Sequence, residues 1–361
     1  MKKVELNQSF FEVVPTSIIL EILSRLPIKA CLSCKLVCKD WYRIIVSFEY
    51  ATLRSSLRFY VTILLHGTFS KGENDFLLLD LDDSSKIGHM GDLNVSVDAM
   101  IKFQPELIIN PPHKVRVINE CNGLICLKPK AHRPYIICNL LTGQQVIVEQ
   151  FPRPPCTVVV YGLGCCLVSH QFKLVRLLKT EQSCVVEIQT LGTNEWRIIG
   201  GDNAPQFHLS ESWAFFNESL HRYSYVDNCI WSFHFGNEQF SQVSLPDDMN
   251  AQRFGEVGVF DSCLYFTSAS QDHRECEIWV MKVYGDKGSW VKQFVFLKEF
   301  YSHYMPILQL GDGKILMSYC NVGIGHGLRV CDVESGRYRR VRVLEISDFE
   351  LLLCNAKFSK L

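Results

Sequence analysis

Turn residues recur at a nearly constant distance along most of the chain, and this period limits the possible folds more than any other feature. Short β-rich runs are followed by glycines 44 to 51 residues apart. These glycines are Gly143, Gly192, Gly236, Gly285 and Gly336. The runs are rich in β-branched and aromatic residues, which favour strands. They are Phe76–Leu81, Tyr135–Cys138, Val185–Ile188, Ile230–Phe235, Ile278–Val283 and Leu328–Val333.

A second turn precedes most of these glycines, so each repeat offers two hairpins. The candidate turns are Asn122-Gly123, Gly162 with Gly164, Asn217-Glu218, Asp261-Ser262 and Gly311-Asp312-Gly313, and Asp82-Asp83 gives a further turn before Gly143. Four strands in each period of this length are typical of β-propeller blades. Roughly 300 residues at this period predict about six blades, with five or seven also compatible. A pair of β-sandwiches is the alternative, and the even spacing favours the propeller.

The first 54 residues follow a helical period instead. Apolar residues recur along three runs at three- and four-residue spacing. Pro15 suits the first turn of the first helix, and Pro27 ends that helix. The runs are Ile18, Ile19, Ile22, Leu23 and Leu26, then Ala30, Cys31, Cys34, Val37 and Cys38, then Trp41, Ile44, Ile45 and Phe48. We therefore predict three short helices.

Three short helices bury little surface among themselves, and units of about 40 residues therefore rarely fold unaided. Two interpretations follow. The helices dock on a partner through a helix-in-groove contact, or they form a cap that packs on the rest of this chain. The patterning favours neither.

Composition excludes several classes of protein. The 361 residues include 47% hydrophobic and 12% aromatic residues and carry a net charge of −1. This describes a folded chain without the basic footprint of a nucleic-acid binder. Residues 1–54 carry a net charge of +3 and the remainder −4, which agrees with a domain boundary near residue 55.

The 16 cysteines are expected to be reduced. Met1–Phe11 shows no apolar signal segment, so we expect the cytosol or the nucleus, where disulfides are rare. The uncharged stretch Pro154–Phe172 contains two prolines and two glycines, and is predicted as strand, turn and strand rather than a membrane span. The glycosylation patterns at Asn94 and Asn217 should then be unmodified.

The N-terminal residues resemble the F-box of plant F-box proteins. The resemblance rests on Val14-Pro15, Ile18-Ile19, Glu21-Ile22-Leu23, Arg25-Leu26-Pro27-Ile28-Lys29 and Val37-Cys38-Lys39-Asp40-Trp41. The remainder is similar to the F-box-associated domain, a kelch-like propeller. Its matching segments include Cys121-Asn122-Gly123-Leu124-Ile125-Cys126, Asn139-Leu140-Leu141-Thr142-Gly143, Tyr161-Gly162-Leu163-Gly164, Ile278-Trp279-Val280-Met281 and Ser289-Trp290-Val291-Lys292.

This resemblance implies a substrate-recognition subunit of an SCF-type ubiquitin ligase. The F-box would dock on a Skp-type adaptor, which leads to the cullin and RING subunits, and the propeller would bind an unidentified target protein. The adaptor-facing residues implied by the family pattern are Pro15, Ile18, Ile19, Leu23, Leu26, Pro27, Val37, Cys38 and Trp41. The runner-up is an adaptor-bound protein that holds its partner without ubiquitinating it.

Other residues with chemical potential have simpler explanations. Cys31, Cys34 and Cys38 lie on an apolar helical pattern and lack a fourth metal ligand nearby. Cys165-Cys166 lacks the nucleophile elbow, and Gly311-Asp312-Gly313-Lys314 lacks the Ser or Thr of a phosphate loop. Four histidines could line a propeller channel and bind copper, but share no local spacing; they are His221, His234, His273 and His326. Four tryptophans are predicted blade core; they are Trp196, Trp231, Trp279 and Trp290.

The sequence therefore predicts an α+β multidomain protein. It has an N-terminal tail at 1–13, a three-helix F-box at 14–54 and an all-β propeller of about six four-stranded blades at 55–361. We expect no enzymatic activity, no metal and no cofactor, and neither nucleic acid nor membrane as a partner.

Overall fold

A computed structural model of the chain describes most of its regular elements. The described residues are 14–56, 61–68, 74–81, 93–95, 101–103, 115–129, 134–149, 157–179, 184–200, 205, 213–247, 255–269, 274–297, 302–310, 313–321, 325–343 and 349–354. The tail at 1–13 and the turn at Asp82-Asp83 lie outside them. None of the helices in these ranges has both the length and the hydropathy needed to span a bilayer.

Residues 14–56 form a helical module. Its helices are α1 (Thr16–Ser24), α2 (Ile28–Cys34), α3 (Lys39–Ile45) and α4 (Phe48–Ser56). Pro15 and Pro27 stand directly before α1 and α2, where a fixed φ and a missing N–H cost little. The residue before a proline disfavours helical geometry, so Pro27 also ends α1.

The prediction of three helices is wrong, because the third predicted run divides in two. The Ser47 hydroxyl accepts the Tyr50 N–H at 3.1 Å and starts α4, as a serine N-cap does. The second run is also shorter than predicted. Val37 and Cys38 lie between α2 and α3, and the Cys38 thiol accepts the Trp41 N–H at 3.4 Å.

Strands make up the rest of the described chain. In order they are β1 (Val61–Thr68), β2 (Asn74–Leu81), β3 (Leu93–Val95), β4 (Ile101–Phe103), β5 (Val115–Cys121), β6 (Leu124–Pro129), β7 (Tyr135–Cys138), β8 (Gln145–Val148), β9 (Thr157–Cys166), β10 (Gln171–Lys179), β11 (Cys184–Thr190), β12 (Arg197–Gly200), β13 (Ala214–Phe216), β14 (Ser219–Ser224), β15 (Cys229–His234), β16 (Gln239–Val243), β17 (Glu256–Phe260), β18 (Cys263–Ala269), β19 (Glu275–Met281), β20 (Trp290–Leu297), β21 (Ser302–Gln309), β22 (Lys314–Asn321), β23 (Gly325–Asp332), β24 (Tyr338–Val343) and β25 (Phe349–Cys354). A 3-10 turn at Lys287–Ser289 precedes β20.

The described strands form six sheets. Sheet A has the order β25-β1-β2-β4; sheets B, C, D and E contain β5–β8, β9–β12, β13–β16 and β17–β20 in sequential order; sheet F is β21-β22-β23-β24-β3. All neighbouring strands are antiparallel, except that β3 pairs in parallel with β24. Sheet A joins the two ends of the strand region, since β25 pairs with β1 along six residues.

Contacts between strands of neighbouring sheets arrange the sheets as a ring, a β-propeller. β25 contacts β5, β5 contacts β9, β9 contacts β14, β13 contacts β17, β17 contacts β21, and β23 returns to β25. Closing the ring leaves only short outer edges unpaired, which limits unwanted strand pairing. The propeller predicted from the repeated turns is therefore confirmed.

The predicted turns fall at corresponding places in successive sheets. The five repeating glycines lie between the third and fourth strands of sheets B, C, D, E and F. Asn217-Glu218 and Asp261-Ser262 join first to second strands with positive φ at both residues, the geometry of two-residue hairpins that match strand twist. Pro154–Phe172 contains strand, turn and strand as predicted, with the turn at Leu167–His170.

The prediction of a turn at Gly162 and Gly164 is wrong, because both residues lie inside β9. A Cβ on Gly162 would come within 2.3 Å of the Leu220 side chain, and one on Gly164 within 1.8 Å of the Phe235 ring. These two glycines therefore leave room for large side chains of sheet D. A glycine that admits a neighbouring side chain cannot be distinguished from a turn glycine by spacing alone.

Cross-sheet contacts define two faces of the ring. The Asn119 side chain donates to the Leu163 carbonyl at 2.8 Å and accepts its N–H at 2.9 Å, so β5 and β9 run side by side. The Asn122 amide in the β5–β6 turn donates to the Cys165 thiol at the end of β9, and the Leu167 N–H in the β9–β10 turn donates to Glu218 in the β13–β14 turn. Turns after first and third strands therefore lie on one face, which we call the hairpin face. Because neighbouring strands are antiparallel, connections after second and fourth strands lie at the other end of the strands, on what we call the far face. A six-residue strand separates the two faces by about 17 Å.

Candidate partner-docking surface

The helical module has a small core built around Tyr50. The Tyr50 hydroxyl lies 3.1 Å from the Cys31 sulfur and donates to the Leu23 carbonyl at 3.4 Å. Leu23, Ile28 and Cys31 are buried beside it. Burial raises the pKa of the Tyr50 phenol above its ordinary value, so the hydroxyl remains a hydrogen-bond donor.

Arg54 connects α4 to the end of α1. Its guanidinium donates to the carbonyls of Ser24 at 3.2 Å and Leu26 at 2.6 Å. Carbonyls at the end of a helix lack intrahelical partners, and charge-assisted bonds satisfy them well. Arg54 is itself buried, so it orders the α1–α2 corner from within.

Outside this core, the module leaves large apolar side chains in contact with solvent. They lie on α1, in the α2–α3 connection and on α3, and we call them the exposed apolar set: Ile18, Ile22, Leu36, Val37 and Tyr42. Leu36 is 80% exposed and Val37 60%. Single exposed apolar residues are ordinary, whereas a concentration of them on one small unit indicates an interaction surface.

The structure divides the predicted adaptor-facing residues into three groups. Five are exposed: Pro15, Ile18, Pro27, Val37 and Cys38. Three are half-buried and pack against the core: Ile19, Leu26 and Trp41. Leu23 is 1% exposed, so its assignment to a contact surface is corrected: it belongs to the core of the module.

Sequence reasoning missed three members of the exposed apolar set. Ile22 belongs to the same helical run as Ile18, one turn further along α1, and spacing alone could have indicated it. Leu36 and Tyr42 gave no such signal. Their exposure depends on where α2 ends and α3 begins, which the apolar period did not locate.

The module is fixed to the hairpin face of the propeller. The Lys35 ammonium donates to the Leu141 carbonyl in the β7–β8 turn at 2.5 Å, and burial lowers the pKa of Lys35. The Phe48 ring stacks on His170 in the β9–β10 turn, with ring centroids 4.1 Å apart. One apolar core continues from the module into sheets A and B. The interpretation of the helices as a cap that packs on the chain is therefore confirmed, and docking on a partner stays a prediction.

Two family models match this arrangement of helices followed by a propeller. The F-box-like model matches residues 11–50. The model of the F-box associated beta propeller domain matches residues 82–358, more than half of the chain. The chain belongs to the F-box proteins with this associated domain. The resemblance to this family, predicted from the sequence, is confirmed.

Relatives of this F-box protein come from Arabidopsis thaliana, so it is of the plant type. F-box protein At3g07870 is 25% identical over 316 residues, covering 78% of this chain and 72% of its own. F-box protein At5g49610 is 22% identical, covering 85% and 87%. F-box protein CPR1 is 23% identical, covering 85% of this chain and 80% of its own.

The cysteines of α2 and its flank have separate surroundings in the F-box protein. Cys31 is buried against Tyr50, Cys34 is half-buried with a pKa raised by burial, and Cys38 is exposed at the start of α3. Within the described ranges, no three His, Cys, Asp or Glu side chains are grouped as metal ligands.

The other residues considered for catalysis or phosphate binding lie in strands and turns of the propeller. The Cys165 thiol accepts from the Asn122 amide at 2.7 Å. The hydroxyl of Ser169, with its N–H, hydrogen-bonds Cys166 and lowers the pKa of that thiol. Gly313 has a φ of +67° and Lys314 begins β22, which is a hairpin rather than a strand-to-helix turn; Gly311 and Asp312 lie outside the described residues.

Two of the four histidines have described side chains. His221 is buried, with Nε2 2.8 Å from the Tyr284 hydroxyl, and His234 Nδ1 accepts the Gly236 N–H at 3.1 Å. His273 and the side chain of His326 lie outside the description. The four tryptophans belong to or pack against the apolar cores between sheets, as predicted: Trp196, Trp231, Trp279 and Trp290. The Asn94 side chain is not described, and Asn217 lies in a hairpin turn.

Proposed function

We propose that this F-box protein is the substrate receptor of an SCF-type ubiquitin ligase, acting in the cytosol or nucleus. The helical module docks on a Skp-type adaptor, which bridges to the cullin and RING subunits. The propeller, with each of its six sheets as one blade, binds the target protein. The chain contributes no catalytic group and uses no cofactor.

One observation carries the proposal: the exposed apolar set. The module has already buried one side against the propeller, yet five large apolar side chains remain in water. We assign the adaptor contact to these residues with the other accessible members of the family pattern. The surface comprises Pro15, Ile18, Ile19, Ile22, Leu26, Pro27, Leu36, Val37, Cys38, Trp41 and Tyr42. Leu23 shapes it from beneath.

The mechanism is positional. A receptor that holds target and adaptor together raises the effective concentration of a target lysine near the ubiquitin thioester. This requires a fixed relation between the two binding regions. The Lys35–Leu141 bond and the Phe48–His170 stack supply it, because they hold the helices against two neighbouring sheets.

Co-purification with a Skp-type adaptor tests the docking step. The full chain is expressed with the adaptor as wild type, as Val37→Asp and as Val226→Asp. Val226 is a matched control, being 54% exposed in the β14–β15 turn on the far face. We expect Val37→Asp to lose at least about tenfold in adaptor affinity, as an interface anchor does, and Val226→Asp to match wild type.

Equal recovery of Val37→Asp and wild type would contradict the docking surface. Absence of adaptor from the wild-type preparation would contradict the receptor function itself. Ubiquitin transfer in a reconstituted complex with cullin, RING subunit and a ubiquitin-loaded E2 then tests the second step. A partner captured by the propeller should be modified in the presence of wild type and not of Val37→Asp. A partner that binds but is never modified would identify a non-degradative holder.

A further inference from the structure

The hairpin face carries an exposed apolar feature that the helical module does not explain. At the tip of the β9–β10 hairpin, Leu167 and Val168 point into solvent, and Val168 is 90% exposed. No other large apolar residue with a described side chain is more exposed. We propose that this tip, Leu167–His170, is a second contact for the Skp-type adaptor. The inference rests on the proposed function and extends the docking surface from the F-box onto the propeller.

The tip and the helical module are adjacent. His170 stacks on Phe48 at the start of α4, with centroids 4.1 Å apart and ring planes within 13° of parallel. Val168 is two residues away, so its Cα lies within about 7 Å of that of His170. Val168 therefore lies close to the start of α4.

The tip is also held in a fixed shape. The Leu167 N–H donates to the Glu218 carboxylate of sheet D at 2.5 Å. His170 has a φ of +54°, which closes the turn, and Ser169 hydrogen-bonds back to Cys166. A loop already ordered in the free protein loses little conformational entropy on binding, so its apolar contact adds to affinity.

The expected footprint of the partner reaches this far. A stable interface buries about 800 Å² on each side, which corresponds to a patch roughly 30 Å across. The tip touches the module at the Phe48–His170 stack, and Val37 lies just before α3, a helix of seven residues that is about 10 Å long. One partner can therefore cover both. The partner must therefore present an apolar surface that extends beyond its contact with the helical module.

Affinity measurements on the full chain test the proposal. Dissociation constants for a purified Skp-type adaptor are determined for wild type, Val168→Asp, Val168→Ala, Val37→Asp and the far-face control Val226→Asp. We expect Val168→Asp to weaken binding about five- to tenfold and Val168→Ala about two- to threefold. Val226→Asp should remain within twofold of wild type. Thermal unfolding should be unchanged in Val168→Asp, because an exposed turn residue contributes little to stability.

The outcomes separate the two proposals. If Val37→Asp weakens binding while Val168→Asp matches Val226→Asp, the second contact is wrong and the receptor function stands. If wild type does not bind the adaptor, both are wrong. If Val168→Asp loses affinity for the adaptor and also unfolds at a lower temperature, Val168→Ala decides. Unchanged adaptor affinity in a fully folded Val168→Ala variant would also overturn the second contact.

Discussion

The helical module and the propeller differ in how densely they expose large apolar side chains: five lie within the 43 residues 14–56, whereas ten are spread over the much longer described part of the propeller. In the ring, every sheet packs against two neighbours, and the apolar cores lie between sheets. In the module, four short helices pack on one side against the propeller, through turns of sheets B and C and a shared apolar core, and five large apolar side chains remain exposed within residues 14–56.

The difference follows from geometry. A closed ring offers each sheet a partner on both faces, whereas a helical unit of about 40 residues has too little surface to enclose its own apolar stripes. The proposed function assigns the exposed side of the module to the adaptor. Four changes test this contrast.

Leu23→Asp should have the largest effect, because it places a carboxylate in the core of the module. We expect a loss of about 4 kcal/mol or more from the stability of residues 14–56. Amide exchange of α1 and α2 measures it. The matched variant Val37→Asp should leave that exchange unchanged, since its side chain is exposed. Equal destabilisation by both would show that the core and the surface have been assigned wrongly.

Arg54→Ala removes the guanidinium that satisfies the end of α1. The carbonyls of Ser24 and Leu26 lose charge-assisted bonds, each worth about 1.5–3 kcal/mol, so we expect roughly 3 kcal/mol of destabilisation in urea unfolding. Arg43→Ala is the control, because its ion pair with Asp40 is exposed on both sides and such pairs contribute about 0–1 kcal/mol. A small effect of Arg54→Ala would contradict its role in ordering the corner.

Gly164→Ala tests the close packing of the ring. Its Cβ would enter the position of the Phe235 ring, and overpacking of this kind costs about 1–3 kcal/mol. Gly143→Ala serves for comparison. Its Cβ would meet no atom within 4 Å, but Gly143 has a φ of +75°, so this variant tests only the strain of a left-handed backbone. If Gly164→Ala is as stable as wild type in thermal unfolding, sheets C and D are not packed as described.

His221 should make the ring sensitive to acid. Burial lowers the pKa of His221 to about 4, below its ordinary value of about 6.5. The unfolded chain therefore binds more protons between these values, and the free energy of unfolding falls as pH falls through them. We expect a loss of about 2 kcal/mol between pH 7.5 and 5.

Urea unfolding of wild type and His221→Gln at both pH values isolates this contribution. The variant keeps a side-chain amide near the Tyr284 hydroxyl but does not titrate. It should lose less stability on acidification than wild type by roughly the same 2 kcal/mol. Parallel losses in the two proteins would mean that His221 is not buried in its neutral form.

The propeller was predictable because its turns are encoded locally. Gly143 and its counterparts mark the same turn of five sheets, and paired positive-φ residues such as Asn217-Glu218 mark another. Gly162 and Gly164 escaped this reasoning because their small size serves a neighbouring sheet, a tertiary requirement. The pairing of β1 with β25 is also tertiary: its partners are almost 290 residues apart, and no local pattern specifies that register.

The docking surface was predictable in its location but not in its membership. The helical period placed Ile18, Ile22 and Leu23 on one broad face, yet only packing decides that Leu23 points inward and Ile22 outward. The N-cap at Ser47 divided a predicted helix in two. Arg54 and Tyr50 were overlooked because polar residues at the end of an amphipathic segment are usually exposed.

Hydrogen–deuterium exchange of the full chain, with and without a Skp-type adaptor, tests the central claim most directly. We expect added protection within residues 16–45 and at the tip Leu167–His170, and none in the far-face turn at 225–228. This pattern would locate the adaptor on the exposed side of the module. Unchanged exchange throughout residues 14–56 at saturating adaptor would contradict the account.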